Sequence, residues 1–162
     1  MKKMKFLCLA SIALAVFTFV SCDDDYGTED FTGEYDYTER YVFWKIFQGD
    51  TLRRPSDQIN GILDISGFSG KIKATFKPDG TPVGSLYETY DYTISGKTIL
   101  GDSYLGEITF PFGTYPGINV TNEGELDGKY LSILITYSGT YTEGSNVGHI
   151  KGERRIEAVK RK

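Results

Sequence analysis

The residues able to do chemistry in this 162-residue chain are few, and their spacing argues for holding a molecule rather than transforming one. His149 is the single histidine, and the only cysteines are Cys8 and Cys22. A histidine base needs a nucleophile beside it, and a lone histidine near a strand end is far more often an exposed polar residue. Gly67-Phe68-Ser69-Gly70 reads Gly-x-Ser-Gly, short of the Gly-x-Ser-x-Gly that makes a nucleophile elbow. Zinc wants several His or Cys ligands, which the chain cannot supply. A calcium loop begun at Asp23 puts Gly27 and Thr28 where Asp or Asn and then Gly are required. The expectation is no enzymatic activity, no cofactor and no metal.

Two charged residues stand out because they fall on apolar faces. Ser85–Ile94 alternates, with Leu86, Glu88, Tyr90, Tyr92 and Ile94 on the more apolar side. Either Glu88 points inward, where burial favours its neutral form, or it lies at a rim, in water or paired with arginine. The rim reading needs fewer special conditions. A glycosidase pair with Asp91 or Glu107 would need a fixed carboxylate separation, and nothing in the sequence sets one. In the last strand Ile150, Gly152, Arg154 and Ile156 share a face, so Arg154 is the misfit there. It is expected to point inward and pack on an aromatic ring of the first strand, Tyr35 foremost. A bulge at Gly152 would hand that role to Arg155.

These residues must be positioned by strands. From Phe31 the chain alternates, with Phe31, Gly33, Tyr35 and Tyr37 on one face, before Tyr41–Phe47 turns apolar on both and suggests a bend or a second strand. Gln48–Ser56 reads as a polar loop. Strands follow at Gln58–Ser66 and Gly70–Lys77, split by a turn at Gly67-Phe68-Ser69; the second has Ile72, Ala74 and Phe76 on one face. Pro78-Asp79-Gly80 is a turn with proline pre-setting φ. Further strands are Ser85–Ile94, Thr98–Leu100, Glu107–Phe112 with Ile108, Phe110 and Phe112 together, Lys129–Tyr137 after the hairpin signal Asp127-Gly128, and Val147–Val159. About eight short strands with no helical period make an all-β antiparallel fold, an up-and-down barrel or a sandwich, and a barrel removes exposed edges.

The N-terminus has the order of a secretory signal: Lys2, Lys3 and Lys5, an apolar run from Phe6 to Val20, then small Ser21 before Cys22. That run of about 15 residues is short of the ~20 a membrane-spanning helix needs. Val20-Ser21-Cys22 resembles the lipobox of bacterial lipoproteins, with Phe19 where leucine is usual. The resemblance implies removal of residues 1–21, a diacylglycerol on the Cys22 thiol and an acylated new N-terminus, with palmitate the kind of chain expected. Cys22–Lys162 is then one domain of 141 residues, with 15 basic against 22 acidic side chains, a formal −7. Such a surface argues against nucleic acid. Cys22 is its sole cysteine, so no internal disulfide holds the fold. Residues 22–30 carry five carboxylates and read as an extended acidic tether. The triplet Asp23-Asp24-Asp25 resembles the signal that sends some lipoproteins to the outward face of the outer membrane, with a plain solvated spacer as the alternative.

Ala74-Thr75-Phe76-Lys77-Pro78-Asp79-Gly80-Thr81 and Tyr90-Asp91-Tyr92-Thr93-Ile94-Ser95-Gly96-Lys97 together resemble the central hairpin of bacterial lipocalin-like lipoproteins. Gly33-Glu34-Tyr35 is similar to that family's opening Gly-x-Trp, and an arginine in the closing strand, here Arg154 or Arg155, is a family habit. The resemblance implies a lipocalin-like barrel over residues 31–162; a related calycin-like barrel fits equally well. A fold of this kind hosts many activities.

Two functions follow. One is a surface-exposed, outer-membrane-anchored barrel that binds a small apolar or aromatic ligand, lined by Tyr35, Phe76, Glu88, Tyr90, Tyr92, Phe110 and Arg154. The other is an accessory module docking on a partner protein or glycan through exposed tyrosines. A filled interior favours docking, and an open cavity of ~300 Å³ or more favours the ligand. Asp50-Thr51-Leu52 also resembles an O-glycosylation acceptor, in a loop where a sugar on Thr51 is tolerated.

Overall fold

The computed structural model describes residues 26–82 and 84–162. The leader, Cys22 and the acidic triplet lie outside them. Ten strands follow a single helical turn, α1 (Thr28–Phe31): β1 (Gly33–Phe47), β2 (Asp50–Pro55), β3 (Ile59–Phe68), β4 (Lys71–Pro78), β5 (Glu88–Ser95), β6 (Thr98–Gly101), β7 (Tyr104–Phe110), β8 (Gly113–Asp127), β9 (Tyr130–Glu143) and β10 (Asn146–Lys160). Eight of them close an antiparallel barrel in the order β1-β3-β4-β5-β6-β8-β9-β10, with β10 returning to β1. The chain meanders from each strand to its neighbour, and only β2 and β7 stand outside the ring.

Closure follows from period-two patterning. Tyr35 and Tyr37, Leu63 and Ile65, Ile72, Ala74 and Phe76, Leu131, Ile133 and Ile135, and Ile156 and Ala158 all turn inward and are buried. Each such large side chain contributes about 1.5–3 kcal/mol by leaving water. One end of the barrel is plugged by α1. Its Phe31 is fully buried, Tyr35 donates its hydroxyl to the Phe31 carbonyl at 2.8 Å, and the Gly70 amide donates to Thr28 Oγ1 at 2.9 Å. The tether expected to bury nothing therefore ends earlier than its charge suggests. Tyr26 packs partly against the core, because two aromatics bracket the acidic residues and give them something to fold onto.

The other end is built differently. Strands β1, β8 and β10 are 15 residues long and β9 is 14, against 4–10 for the rest. Their extra length rises above the rim as a wall. Val42–Phe47 of β1 carries β2 on its outer edge, and Gly113–Val120 of β8 carries β7. Tyr41–Phe47 is thus no second strand but the continuation of β1, apolar on both sides because it pairs away from the barrel. The polar loop expected at 48–56 is instead β2, and Thr51 sits exposed on it opposite Ile46. Its hairpin was hidden because the turn is Gln48-Gly49, with φ of 50° and 89°, instead of the Asn-Gly or Asp-Gly that usually supplies two left-handed residues. The turn between β3 and β4 is at Ser69-Gly70, so Gly67 and Phe68 remain in β3. Strand β8 was also obscure, because Pro116, Asn122 and Gly124 interrupt its apolar alternation.

The barrel mouth and its charged triad

The triad forms where the wall leaves the barrel. Arg154 of β10 lies opposite Tyr41 of β1 and Ile135 of β9, in unbroken register on both sides. No bulge intervenes at Gly152, so Arg154 points inward and Arg155 outward, paired with Glu153 at 2.9 Å. Gly152 serves instead as bare backbone for a ring to cover, since a Cβ there would collide with the Phe43 ring that lies across it.

Arg154 is 8% exposed and places three of its N–H donors on two carboxylates. Its Nε and Nη2 donate to Glu39 Oε2 at 2.8 and 2.6 Å, and its Nη1 donates to Glu88 Oε2 at 2.5 Å. The other oxygen of Glu88 accepts the Tyr90 hydroxyl. Glu39 is 4% exposed, whereas the Glu88 side chain is 47% exposed at the rim. Burial works against the arginine's charge, but Glu88 and then Glu39 more than offset it, and its pKa is raised above the ordinary guanidinium value. The guanidinium stacks 5.2 Å from the centre of Phe76, not on Tyr35 as expected; Tyr35 lies deeper and has Lys160 over its ring at 5.9 Å. Height along the barrel decides this, because Tyr35 lies opposite Lys160 and Arg154 opposite Tyr41, and the ring level with Arg154 comes from β4.

Above the triad is a cavity of about 570 Å³. Its floor is Arg154, Glu39 and Glu88, and its walls include Tyr41, Phe43, Tyr90, Tyr104, Phe110 and Tyr137. The β7–β8 hairpin folds across it: Phe110 meets Phe43 edge-on at 4.7 Å and Tyr137 at 5.9 Å, and Tyr115 meets Tyr141 at 5.3 Å. Burial, with Tyr137 and Glu88 adding to it, raises the Tyr90 pKa; burial also raises Tyr137 and Tyr104. These hydroxyls are therefore neutral donors around pH 7.

Of the residues expected to line a ligand, Glu88, Tyr90, Phe110 and Arg154 meet at this mouth. Tyr35, Phe76 and Tyr92 do not line it. They fill the barrel below, where Tyr92 donates to Asn122 Oδ1 at 2.7 Å. Leu86, expected on the inward face, is fully exposed and precedes β5. Asp91 pairs with Lys73 on the outer surface at 3.9 Å, and His149 and Glu107 are exposed. Glu39 escaped the sequence reading, although it continues the Tyr35, Tyr37 parity inward. Tyr104, at the rim, had no apolar pattern to announce it.

No family model matches the sequence, and no curated protein does. Among solved structures the chain is similar to the vaccine antigen Transferrin Binding Protein B (TbpB), mutant Trp-176-Ala, from Haemophilus parasuis Hp5. The identity is 14% and the TM-score 0.43, over 86% of this chain and 28% of that one, so the chain spans less than a third of that protein's length. A likeness of that degree assigns neither family nor partner.

Proposed function

We propose that this protein is a non-enzymatic lipoprotein of the outer membrane, anchored through Cys22 and facing outward, that holds a small apolar or aromatic ligand at the mouth of a lipocalin-like barrel. The observation that supports the ligand is the aromatic-walled cavity of about 570 Å³, within the ~300–1,000 Å³ of small-molecule sites. The ligand enters from above, between the hairpin and the rim, because the barrel below is filled by its own side chains. The anchor is supported by the residues around Cys22; each acyl CH₂ buried in a bilayer is worth ~0.8 kcal/mol, so several chains hold firmly.

The test of the ligand is titration with the neutral dye N-phenylnaphthylamine. Saturable fluorescence enhancement is expected, and Ile108→Trp, which fills the cavity, should abolish it. Enhancement unaffected by Ile108→Trp would remove the mouth from consideration. For the anchor, Cys22→Ser should move the protein from the membrane fraction to the soluble one; retention in the membrane overturns it.

The filled interior favours a second reading, docking on a protein or glycan. Its chemistry is thin, however, since of the 12 tyrosines only Tyr104 and Tyr130 are exposed. Most of the tyrosines that would have made a sticky surface are committed to the core, the cavity or the wall.

A further inference from the structure

The charge at the mouth narrows the ligand further, on the premise that the cavity binds one at all. Arg154, Glu39 and Glu88 are the charged groups among the lining residues: one cation against two carboxylates. Three of the five N–H groups of Arg154 are spent, its Nε and Nη2 on buried Glu39 and its Nη1 on Glu88, so an entering anion would meet a guanidinium already neutralised by two carboxylates. Both carboxylates keep acceptor capacity, Glu39 at its Oε1 and Glu88 at both oxygens. Each Glu88 oxygen accepts one hydrogen bond, from Arg154 and from Tyr90, and a carboxylate oxygen has a second lone pair to offer. Glu88 is the half-exposed member, so a ligand reaches it without disturbing the buried pair.

The walls agree with the floor. Six aromatic rings surround a site whose fixed charge is negative, and a ring's face attracts a cation. The protein already uses that attraction with its own cations: Lys45 stands 4.8 Å from the centre of Tyr141, and Arg154 stands 5.2 Å from Phe76. Tyr104, exposed at the rim, and Tyr90, bonded to Glu88, put phenol rings where an entering group must pass.

We infer that the mouth cavity selects an organic cation, an ammonium on an aromatic or apolar body, with Glu88 accepting from the ammonium and the surrounding rings taking the body. An organic carboxylate of the same shape is disfavoured, because it would face Glu88 and a guanidinium whose charge two carboxylates already balance.

Three probes of nearly equal shape test this by isothermal titration calorimetry: benzylamine, benzyl alcohol and benzoate. Benzylamine should bind tightest, benzoate weakest, and raising the salt concentration should weaken benzylamine alone. Glu88→Gln keeps size and removes the charge; it should weaken benzylamine about tenfold or more and leave benzyl alcohol nearly unchanged. If Glu88→Gln does not fold, Tyr104→Leu supplies the same comparison, costing benzylamine more than the alcohol. Benzoate binding as tightly as benzylamine, or benzylamine no tighter than the alcohol, overturns the inference while leaving a ligand cavity in place. Binding of none of the three, with no dye binding, overturns the cavity reading itself.

Discussion

The wall continues four of the barrel's eight strands, yet the two regions bury their side chains in opposite ways. Within the barrel, inward residues are sealed on all sides, and Tyr35, Leu63, Ala74, Phe76 and Ile135 are fully buried. In the wall the same inward parity yields Phe43, Tyr137 and Tyr141, covered by one another, by neighbours on β1 and by the β7–β8 hairpin. Glycines make that cover possible, since a Cβ at Gly148 would collide with the Tyr141 ring, as one at Gly152 would with Phe43. A closed sheet can be filled by aliphatics from every side. An open one must lay broad rings over bare backbone, and it leaves a cavity where the cover ends. The charged triad sits at that boundary, where a guanidinium can be buried on one side and reach a half-exposed carboxylate on the other.

The largest expected effect is at the boundary itself. Arg154→Ala strands Glu39 as a buried, unpaired carboxylate, and breaking such a pair costs about 3–5 kcal/mol. Arg155→Ala removes an exposed pair with Glu153 and should cost under about 0.5 kcal/mol. Thermal melting of the two variants decides which face of β10 matters. Replacing Glu39 and Arg154 together by Leu and Met should recover much of the loss, since both desolvated charges then disappear. Equal small losses in the two single variants would show that the triad is not an anchor between barrel and wall.

A second experiment separates the two regions by the same truncation. Phe76→Ala opens a hole in a sealed core and should cost about 3–5 kcal/mol. Phe43→Ala should cost less, because water and the neighbouring rings of Tyr41 and Tyr137 can occupy the space beside the cavity. Amide exchange should grade the same way, with β9 and β10 amides near Leu131 and Ala158 opening only by global unfolding and those near Tyr141 and Gly148 opening earlier. Equal protection at both ends would mean that wall and barrel are one cooperative unit.

Alkaline pH probes the sealed region through Tyr35 and Tyr37. Burial, and a neighbouring carboxylate, push Tyr35 and Tyr37 up to about 12 from an ordinary 10, with Asp30 and Glu39 respectively the largest charged contributors. In the unfolded chain both titrate near 10, so the folded protein holds these protons more tightly. Their stabilising contribution is whole below pH 10 and is lost as pH rises from 10 through about 12. Stability followed by urea titration should therefore fall across that window, less steeply in Tyr35→Phe. A flat profile would mean that these hydroxyls are not sealed.

The barrel was legible because its signal is redundant. Ile72, Ala74 and Phe76, or Leu131, Ile133 and Ile135, declare their face three times over, and each strand's declaration agrees with its neighbour's. The wall was not, because its strands are apolar on both sides or interrupted, and its turn at Gln48-Gly49 lacks the usual residues. The site was half legible. Arg154 and Glu88 were visible as charges on apolar faces, and parity alone would have added Glu39. That Arg154 meets Phe76 from β4, and that the β7–β8 hairpin returns over Phe43, are consequences of closure, which brings together residues far apart in sequence. No local pattern encodes that.

The smallest effect on stability is expected at the wall's free edges, and it distinguishes wall from barrel most cleanly, since a closed ring has none. The two edges are guarded by different means. β7 carries a register irregularity between Gly106 and Ile108 that spoils it as a template. β2 is regular and wholly exposed, and it relies on Arg53, Arg54 and a terminal Pro55. Replacing Arg53 and Arg54 by threonine leaves strand propensity high and removes the charge repulsion. Surface changes of this kind should alter unfolding free energy by no more than about 0.5 kcal/mol. Self-association should nevertheless appear, as a dimer by light scattering that grows with protein concentration, because two β2 edges can then pair. Glutamates at both positions should keep the protein monomeric, which separates charge from residue identity. A threonine variant that stays monomeric at every concentration would show that the β2 edge is protected by its twist and shortness, and that the arginines serve something else.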